Sequence, residues 1–227
     1  MKLFFTIYIL TLTSLQVIGQ DSESSTSTSV FVNTNWSKTS RKLIVNEGLF
    51  GDSLGARANE TNLNLWSFGI GFRSEITKNI MWEGGVSFQQ NGEQYSFEEV
   101  DSSYQYESKY NYISLPVKVY YKYGKAIRVI GGLGIVPQMF VKFQQKRSWT
   151  DSNSIEGSEE IKTTVGYNSF VISSVFNLGV ELDFSDKVTL FFIPEYKVQL
   201  TSSYLKTNSY KHYGRSIGIN MGLSFKL

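Results

Sequence analysis

Most of the chain alternates between apolar and polar residues with a period of two, and this pattern constrains the fold more than any other feature. Near the end of the chain, one face of the pattern carries Ile217, Ile219, Met221, Leu223 and Phe225, and the other carries Ser216, Gly218, Asn220, Gly222 and Ser224. Successive side chains point to opposite faces of a strand, whereas a helix would scatter these residues around its surface. The pattern therefore predicts β-strands, which an aromatic content of 15% also favours.

Eight alternating segments can be placed along the chain, roughly at residues 28–38, 61–76, 79–95, 105–123, 126–144, 164–184, 187–204 and 210–227. Three connections are very short, namely Thr77–Asn79, Gly124–Lys125 and Ser185–Lys187. They alternate with longer connections near 39–60, 96–104, 145–163 and 205–209. Short turns on one side and long loops on the other are typical of transmembrane barrels. The fold predicted is all-β: an eight-stranded antiparallel up-and-down transmembrane β-barrel.

The N-terminus predicts export. Lys2 precedes an uncharged run from Leu3 to Ile18, and Val17 and Gly19 are small residues at the positions before a cleavage site. We therefore expect a signal peptide at 1–19, cleaved near Gly19, then a flexible polar leader at 20–29 and the barrel at 30–227. An uncleaved membrane anchor is the alternative. The chain has no cysteine, so disulfides, thiol catalysis and a lipid-modified cysteine are excluded.

Alternation alone does not decide which face points inward, because a soluble lipocalin-type barrel holds its apolar face and a ligand inside. The polar face carries charges of both signs: Arg73, Glu83, Lys118, Arg128, Glu181, Glu195 and Lys197. Eight strands enclose only enough room for side chains. We therefore expect these charges to pair inside a filled lumen, with gating or slow ion leakage as the alternative.

Glycines and aromatic residues support the same orientation. Most strand glycines, such as Gly132 and Gly179, fall on the charged face, where a crowded lumen needs them. Aromatic residues of the apolar face gather near the strand ends: Trp82, Tyr121, Tyr123, Phe184 and Phe225 toward the short turns, and Tyr196, Tyr204 and Tyr213 toward the long loops. Two aromatic girdles of this kind border the membrane band of a barrel.

Two motifs resemble those of known barrels. The segment Tyr110–Lys118, with the pattern Tyr-x-x-Leu-Pro, and the glycine-rich strand Ile130–Gly134 resemble the PorT-like outer-membrane β-barrel family, which is common in Bacteroidetes. The resemblance covers residues 61 to the end and implies an eight-stranded outer-membrane barrel without implying one function. The C-terminal run resembles the insertion signal read by the barrel-assembly machinery, through Asn220, Gly222, Phe225 and Leu227, where the usual last residue is Phe.

Candidate chemistry is sparse. His212 is the only histidine, and a lipid-modifying enzyme would need it beside a nucleophile such as Ser209 or Ser216. No spacing requires that arrangement, so we expect an ordinary histidine near a strand end. The sequence contains no phosphate-binding glycine loop, metalloprotease motif or nucleophile elbow. We therefore expect no enzymatic activity, no metal and no cofactor.

The function expected is that of a non-enzymatic outer-membrane barrel, acting in envelope integrity or through its external loops, where Phe50, Tyr95 and Trp149 are candidate contacts. The alternatives are a component of a type IX-like secretion system, a lipid-modifying enzyme and a soluble lipocalin-like ligand binder. Expected partners are outer-membrane lipid, the barrel-assembly machinery during insertion and an envelope protein. The net charge of +2 offers no basic face for nucleic acid.

Overall fold

The computed structural model describes residues 27–45 and 54–227. The predicted signal peptide, the leader up to residue 26 and Phe50 lie outside the described residues. The elements are β1 (Thr28–Val45), the 3-10 helix η1 (Gly55–Asn59), β2 (Thr61–Glu75), β3 (Ile80–Glu98), β4 (Ser103–Ser114), β5 (Val117–Gly124), β6 (Ile127–Thr150), β7 (Glu156–Thr163), β8 (Phe170–Asp183), β9 (Val188–Gln199) and β10 (Tyr210–Lys226). Within these residues, no helix has the length and apolar character needed to cross a membrane.

The strands form a closed antiparallel ring. Apart from the pairs β4–β5 and β7–β8, each strand bonds to the strands next to it in sequence, and β1 closes the ring by pairing with β10 from Ser29↔Lys226 to Val45↔Tyr210. Strand β4 with β5, and strand β7 with β8, each serve as one barrel strand, because both members of each pair bond to β6 at successive heights. The prediction of an eight-stranded, up-and-down, antiparallel barrel is confirmed.

The interruption between β4 and β5 lies at Leu115 and Pro116. Proline has no backbone N–H to donate to a sheet, so the ladder is broken at this point. The backbone here still bonds to both neighbouring strands: the Leu115 nitrogen donates to the Pro137 carbonyl of β6 at 2.9 Å, and the Gly85 nitrogen of β3 donates to the Pro116 carbonyl at 3.3 Å. The Leu-Pro pair of the tyrosine-rich motif therefore marks an interruption in one barrel strand.

The apolar face of the barrel points outward and the charged face points inward, as predicted. Leu178 and Ile217 are 66% and 62% exposed on the outer wall, whereas Arg73 and Glu83 are 2% and 1% exposed. Close packing inside requires small residues at some positions. A Cβ at Gly132 would lie 2.4 Å from the Tyr120 ring, so glycine there lets this buried tyrosine reach across the lumen.

Several strands run further toward the long-loop side than the sequence indicates. Strand β1 continues to Val45 instead of ending near residue 38, and the predicted loop 145–163 is largely the hairpin of β6 and β7. These stretches carry polar residues on both faces, so they show no apolar alternation. Tyr204 was expected in the outer aromatic girdle, which is wrong: it is 8% exposed and points inward.

Candidate functional site

The lumen contains a connected network of buried ion pairs. Arg73 contacts Glu83 at 2.7 Å and Glu181 at 3.0 Å, and Lys118 contacts Glu83 at 3.3 Å and Glu195 at 3.0 Å. Five of the seven charged residues predicted for the lumen therefore meet in one chain of contacts across the barrel. Alternating signs allow each of these buried charges to be compensated by a neighbour of opposite sign.

Of the two remaining predicted charges, Arg128 joins this network and Lys197 does not. Arg128 contacts Glu181 at 3.2 Å and Asp183 at 2.5 Å, and so extends the chain toward the short turns. Among the described residues, no carboxylate lies within ion-pair distance of Lys197, which instead donates to the amide oxygen of Gln89 at 2.7 Å. The structure therefore adds Asp183 and Gln89 to the predicted set.

Apolar packing completes the filling of the lumen. The guanidinium of Arg73 lies over the rings of Phe191 and Phe31, at 3.9 Å and 4.9 Å from their centroids. Cavities on either side of this layer measure about 30 Å³ each, which is room for one or two water molecules. Chemically, the arrangement is a rigid plug stabilised by paired charges and ring contacts.

The residues of the predicted insertion signal lie on β10, next to β1, except Leu227, which follows the last residue of the strand. Asn220 is buried and accepts a hydrogen bond from Asn33 at 2.7 Å. Gly222 leaves no room for a Cβ, which would meet the Val32 carbonyl at 2.1 Å. Phe225 and Leu227 are exposed, at 41% and 83%. The signal thus covers the end of the strand that closes the ring.

Above the plug, the long strands form an extension that surrounds an open cavity, which we call the cup. The extension comprises residues 39–45, 89–98, 103–112, 142–150, 156–163 and 210–215, with η1 beside them. The cup has a volume of about 470 Å³ and is lined by ring and charged side chains, among them Tyr104, Tyr106, Tyr110, Tyr167, Tyr204, Arg41, Arg57, Arg147, Glu60 and Glu93. Volumes of this size are typical of small-molecule sites.

Arg41 organises the floor of the cup. It forms an ion pair with Glu60, lies 3.4 Å from Glu93 and donates to the Tyr204 hydroxyl at 3.2 Å. Tyr106 donates to Glu60 at 2.5 Å. Burial raises the pKa of the Glu60 carboxyl above its usual value, although the charge of Arg41 opposes this shift. The floor is therefore held by one cation shared between two carboxylates.

His212 lies beneath the cup and is fully buried, whereas an ordinary strand-end position was expected. Its ring lies 4.4 Å from the Tyr110 ring and 5.0 Å from the Tyr204 ring, and its Nε2 is 3.9 Å from a Glu93 oxygen. Burial lowers the pKa of His212, which keeps the imidazole neutral at pH 7. Within the described residues neither ring nitrogen has a hydrogen-bond partner, so the imidazole is not bonded to the candidate nucleophile serines.

Two aromatic clusters form the walls of the cup. On β3 and β4, Tyr95 stacks on Tyr106 at 5.5 Å, with Tyr104 beside both. Opposite, Tyr167 stacks on Phe140 and Phe143 at 4.8 Å and 5.2 Å. Of the predicted surface contacts, Tyr95 therefore belongs to the wall of the cup. Trp149 lies near the tip of the β6–β7 hairpin and is 38% exposed.

The cup itself was missed from the sequence. The cluster of tyrosines between Tyr104 and Tyr112 is the one signal in the sequence that points to it. Arg41, Glu60 and Glu93 come from separate segments of the chain, and only the strand register brings them together. Among the described residues, no group of three or more His, Cys, Asp or Glu side chains could hold a metal ion.

The fold and the site together define a closed, plugged, eight-stranded barrel with an apolar exterior and a cup at its long-loop end. No protein-family model matches the chain, and no curated protein matches it in sequence. Solved structures similar to it include Neisserial surface protein A, at 14% identity and a TM-score of 0.44, covering 88% of this chain and 97% of that one. The outer membrane protein OprG from Pseudomonas aeruginosa is 12% identical, with a TM-score of 0.44, covering 88% and 96%.

The attachment invasion locus protein Ail of Yersinia pestis is also similar, at 14% identity and a TM-score of 0.38, covering 89% of this chain and 99% of that one. At identities this low, no residue role is carried over from any of these proteins.

Proposed function

We propose that the chain is a non-enzymatic protein of the bacterial outer membrane, whose barrel spans the bilayer and whose extension stands on the cell surface. The outward apolar face carries this proposal. Side chains such as Phe72, Leu133 and Leu178 are more than half exposed on the barrel wall, while charged side chains fill the interior. A barrel with its apolar face outward is stable when lipid surrounds it, whereas a soluble barrel has its apolar face inward and its polar face toward water.

The short turns and both ends of the described chain lie on the same side of the barrel. A chain exported by a signal peptide at 1–19 and inserted from the periplasm would leave these short turns in the periplasm and the cup outside. The barrel-assembly machinery would then read the C-terminal signal on β10. Within this class, the PorT-like family is the finer assignment that we propose, because the Tyr110–Lys118 motif and the glycine-rich strand Ile130–Gly134 resemble that family.

The cup is the surface through which the protein acts. Because the lumen is plugged, transport through the barrel is disfavoured, and function falls to the external part of a rigid scaffold. Ring faces and charged groups lie side by side in the cup, which suits reversible recognition of a polar partner at the cell surface. No reacting group is needed for that role.

The orientation is tested with single cysteines, which the cysteine-free chain makes unambiguous. Ser158→Cys is exposed on β7 and Asp186→Cys is exposed in a short turn. In intact cells, a membrane-impermeant maleimide should label Ser158→Cys and leave Asp186→Cys unlabelled until the cells are lysed. Labelling of Asp186→Cys alone, or of neither site in lysed outer membranes, would contradict the proposal.

Recognition at the cup is tested by site-specific photo-crosslinking. A benzophenone amino acid in place of Tyr104, on the wall of the cup, should capture a surface partner in living cells. The matched control places it at Tyr121, which is 58% exposed on the barrel wall and should capture no such partner. An absence of adducts at Tyr104, with the barrel folded and surface-exposed, would exclude a role in partner binding.

A further inference from the structure

Four basic side chains form an outward-facing patch on the two strands that close the barrel. Lys38 and Lys42 lie on β1, Lys211 and Arg215 lie on β10, and all four are exposed. Neither strand contains a single Asp or Glu. Within the described residues, none of the four is in an ion pair, so the patch has no internal counter-charge.

The strand register places the four charges close together. Ser40 pairs with Arg215, Lys42 with Tyr213 and Ile44 with Lys211. Arg215 is therefore diagonal to both Lys38 and Lys42, and Lys211 is diagonal to Lys42. Diagonal neighbours on one face of a sheet lie about 7–8 Å apart, and like charges at such positions repel. A bound anion would remove this repulsion.

Outward-facing aromatic residues next to the patch show where it lies relative to the apolar belt of the barrel. Trp36 on β1 and Trp66 on β2 are cross-strand partners, and both face outward, at 41% and 49% exposure. Tryptophan pairs of this kind mark the boundary between hydrocarbon and headgroups. Lys38 lies two residues above Trp36, and Arg215 lies two residues above the exposed Ile217. The patch thus begins one row above the apolar belt and faces sideways from the barrel wall.

We propose that this patch is a binding site for the phosphate groups of a phosphorylated glycolipid in the outer leaflet of the outer membrane. The inference rests on the proposed function, because it requires the cup to be outside. A sideways-facing site at headgroup height meets lipid rather than a soluble molecule. Several cations around one position can contact more than one phosphate, while the flexible lysine side chains adapt to the headgroup and the arginine binds it in a bidentate manner.

The full-length protein, purified in detergent, is tested for binding to diphosphorylated lipid A, to the same lipid without phosphates, and to inorganic pyrophosphate. Wild type should bind the diphosphorylated lipid at least tenfold more tightly than the dephosphorylated lipid, and less tightly at high salt. A variant carrying glutamine at Lys38, Lys42, Lys211 and Arg215 should lose this preference. The control carries glutamine at Lys109, Lys142, Lys146 and Lys162, away from the patch, and should keep it.

Equal preference in the patch variant and wild type would overturn the proposal, and so would a matching loss in the control. Pyrophosphate binding as tight as that of the lipid would assign the patch to free phosphate and overturn the lipid assignment. If the fourfold variant does not fold, as judged by gel migration without heating, the pair Lys42→Gln and Arg215→Gln is used, with at least a threefold loss expected. Surface labelling at Ser158→Cys separates failure of this site from failure of the proposed function.

Discussion

Replacement of Glu83 by glutamine tests the ion-pair network of the lumen. The carboxylate of Glu83 contacts Arg73 at 2.7 Å and Lys118 at 3.3 Å, and its side chain is 2% exposed. Removing one partner of a buried ion pair costs about 3–5 kcal/mol, because a charge is left without compensation in a medium of low polarity. Arg73 keeps Glu181 and Lys118 keeps Glu195, so we expect a loss near the lower end, about 3 kcal/mol.

The loss is measured by urea unfolding of the full-length protein in lipid vesicles, followed by tryptophan fluorescence. The matched control is Glu159→Gln, which removes the carboxylate of a solvent-exposed pair with Arg147 at 3.7 Å. Exposed pairs contribute about 0–1 kcal/mol, so the control should unfold almost like wild type. A loss below about 1 kcal/mol for Glu83→Gln would refute the network as a stabilising plug.

Three further predictions concern the cup and the packing of the lumen. Folding lowers the pKa of His212, so as the pH falls the unfolded state binds a proton before the folded state does. The free energy of unfolding should therefore decrease as the pH drops below about 6.5, by about 1.4 kcal/mol per pH unit, until the pKa of the folded state is reached. His212→Gln should abolish this component, and identical pH profiles of the two proteins would contradict it. Gly132→Val forces a side chain into the Tyr120 ring and should cost about 3 kcal/mol or more in the same unfolding assay, whereas a neutral effect would disprove the tight contact. Arg41→Met leaves Glu60 and Glu93 without their cation and should loosen the cup, seen as faster amide hydrogen exchange in residues 39–45 of β1, with exchange in residues 28–38 and in the other strands below the cup unchanged; an equal increase in both parts would refute this.

The barrel itself could be predicted because successive side chains of each strand face alternately the apolar outside and the polar lumen. In β10, Ile217 and Phe225 face outward while Ser216 and Asn220 face inward, and the sequence shows this directly. The charged face could be recognised in the same way. Its pairings could not, because whether Arg73 meets Glu83 or another carboxylate depends on register and on side-chain reach.

The extension was harder to predict because water or polar groups meet both faces of its strands. The segment Glu156–Thr163 shows no alternation of apolar and polar residues, so the sequence indicates a loop. In the structure, however, the segment pairs with β6. His212 was assigned to an ordinary strand end for a related reason. His212 is buried against the rings of Tyr110 and Tyr204. Tyr110 lies on β4, far from His212 along the chain, and Tyr204 lies in the connection before β10, so the sequence alone does not show that these rings meet His212.

The most direct test of the account is fractionation of cells that express the full chain, followed by gel electrophoresis of the detergent extract with and without boiling. We expect the protein in the outer-membrane fraction, with a band that migrates differently before and after heating, because a closed and plugged barrel resists detergent until it is heated. Recovery as a soluble periplasmic protein, with the same migration before and after boiling, would contradict the assignment of the apolar face to lipid.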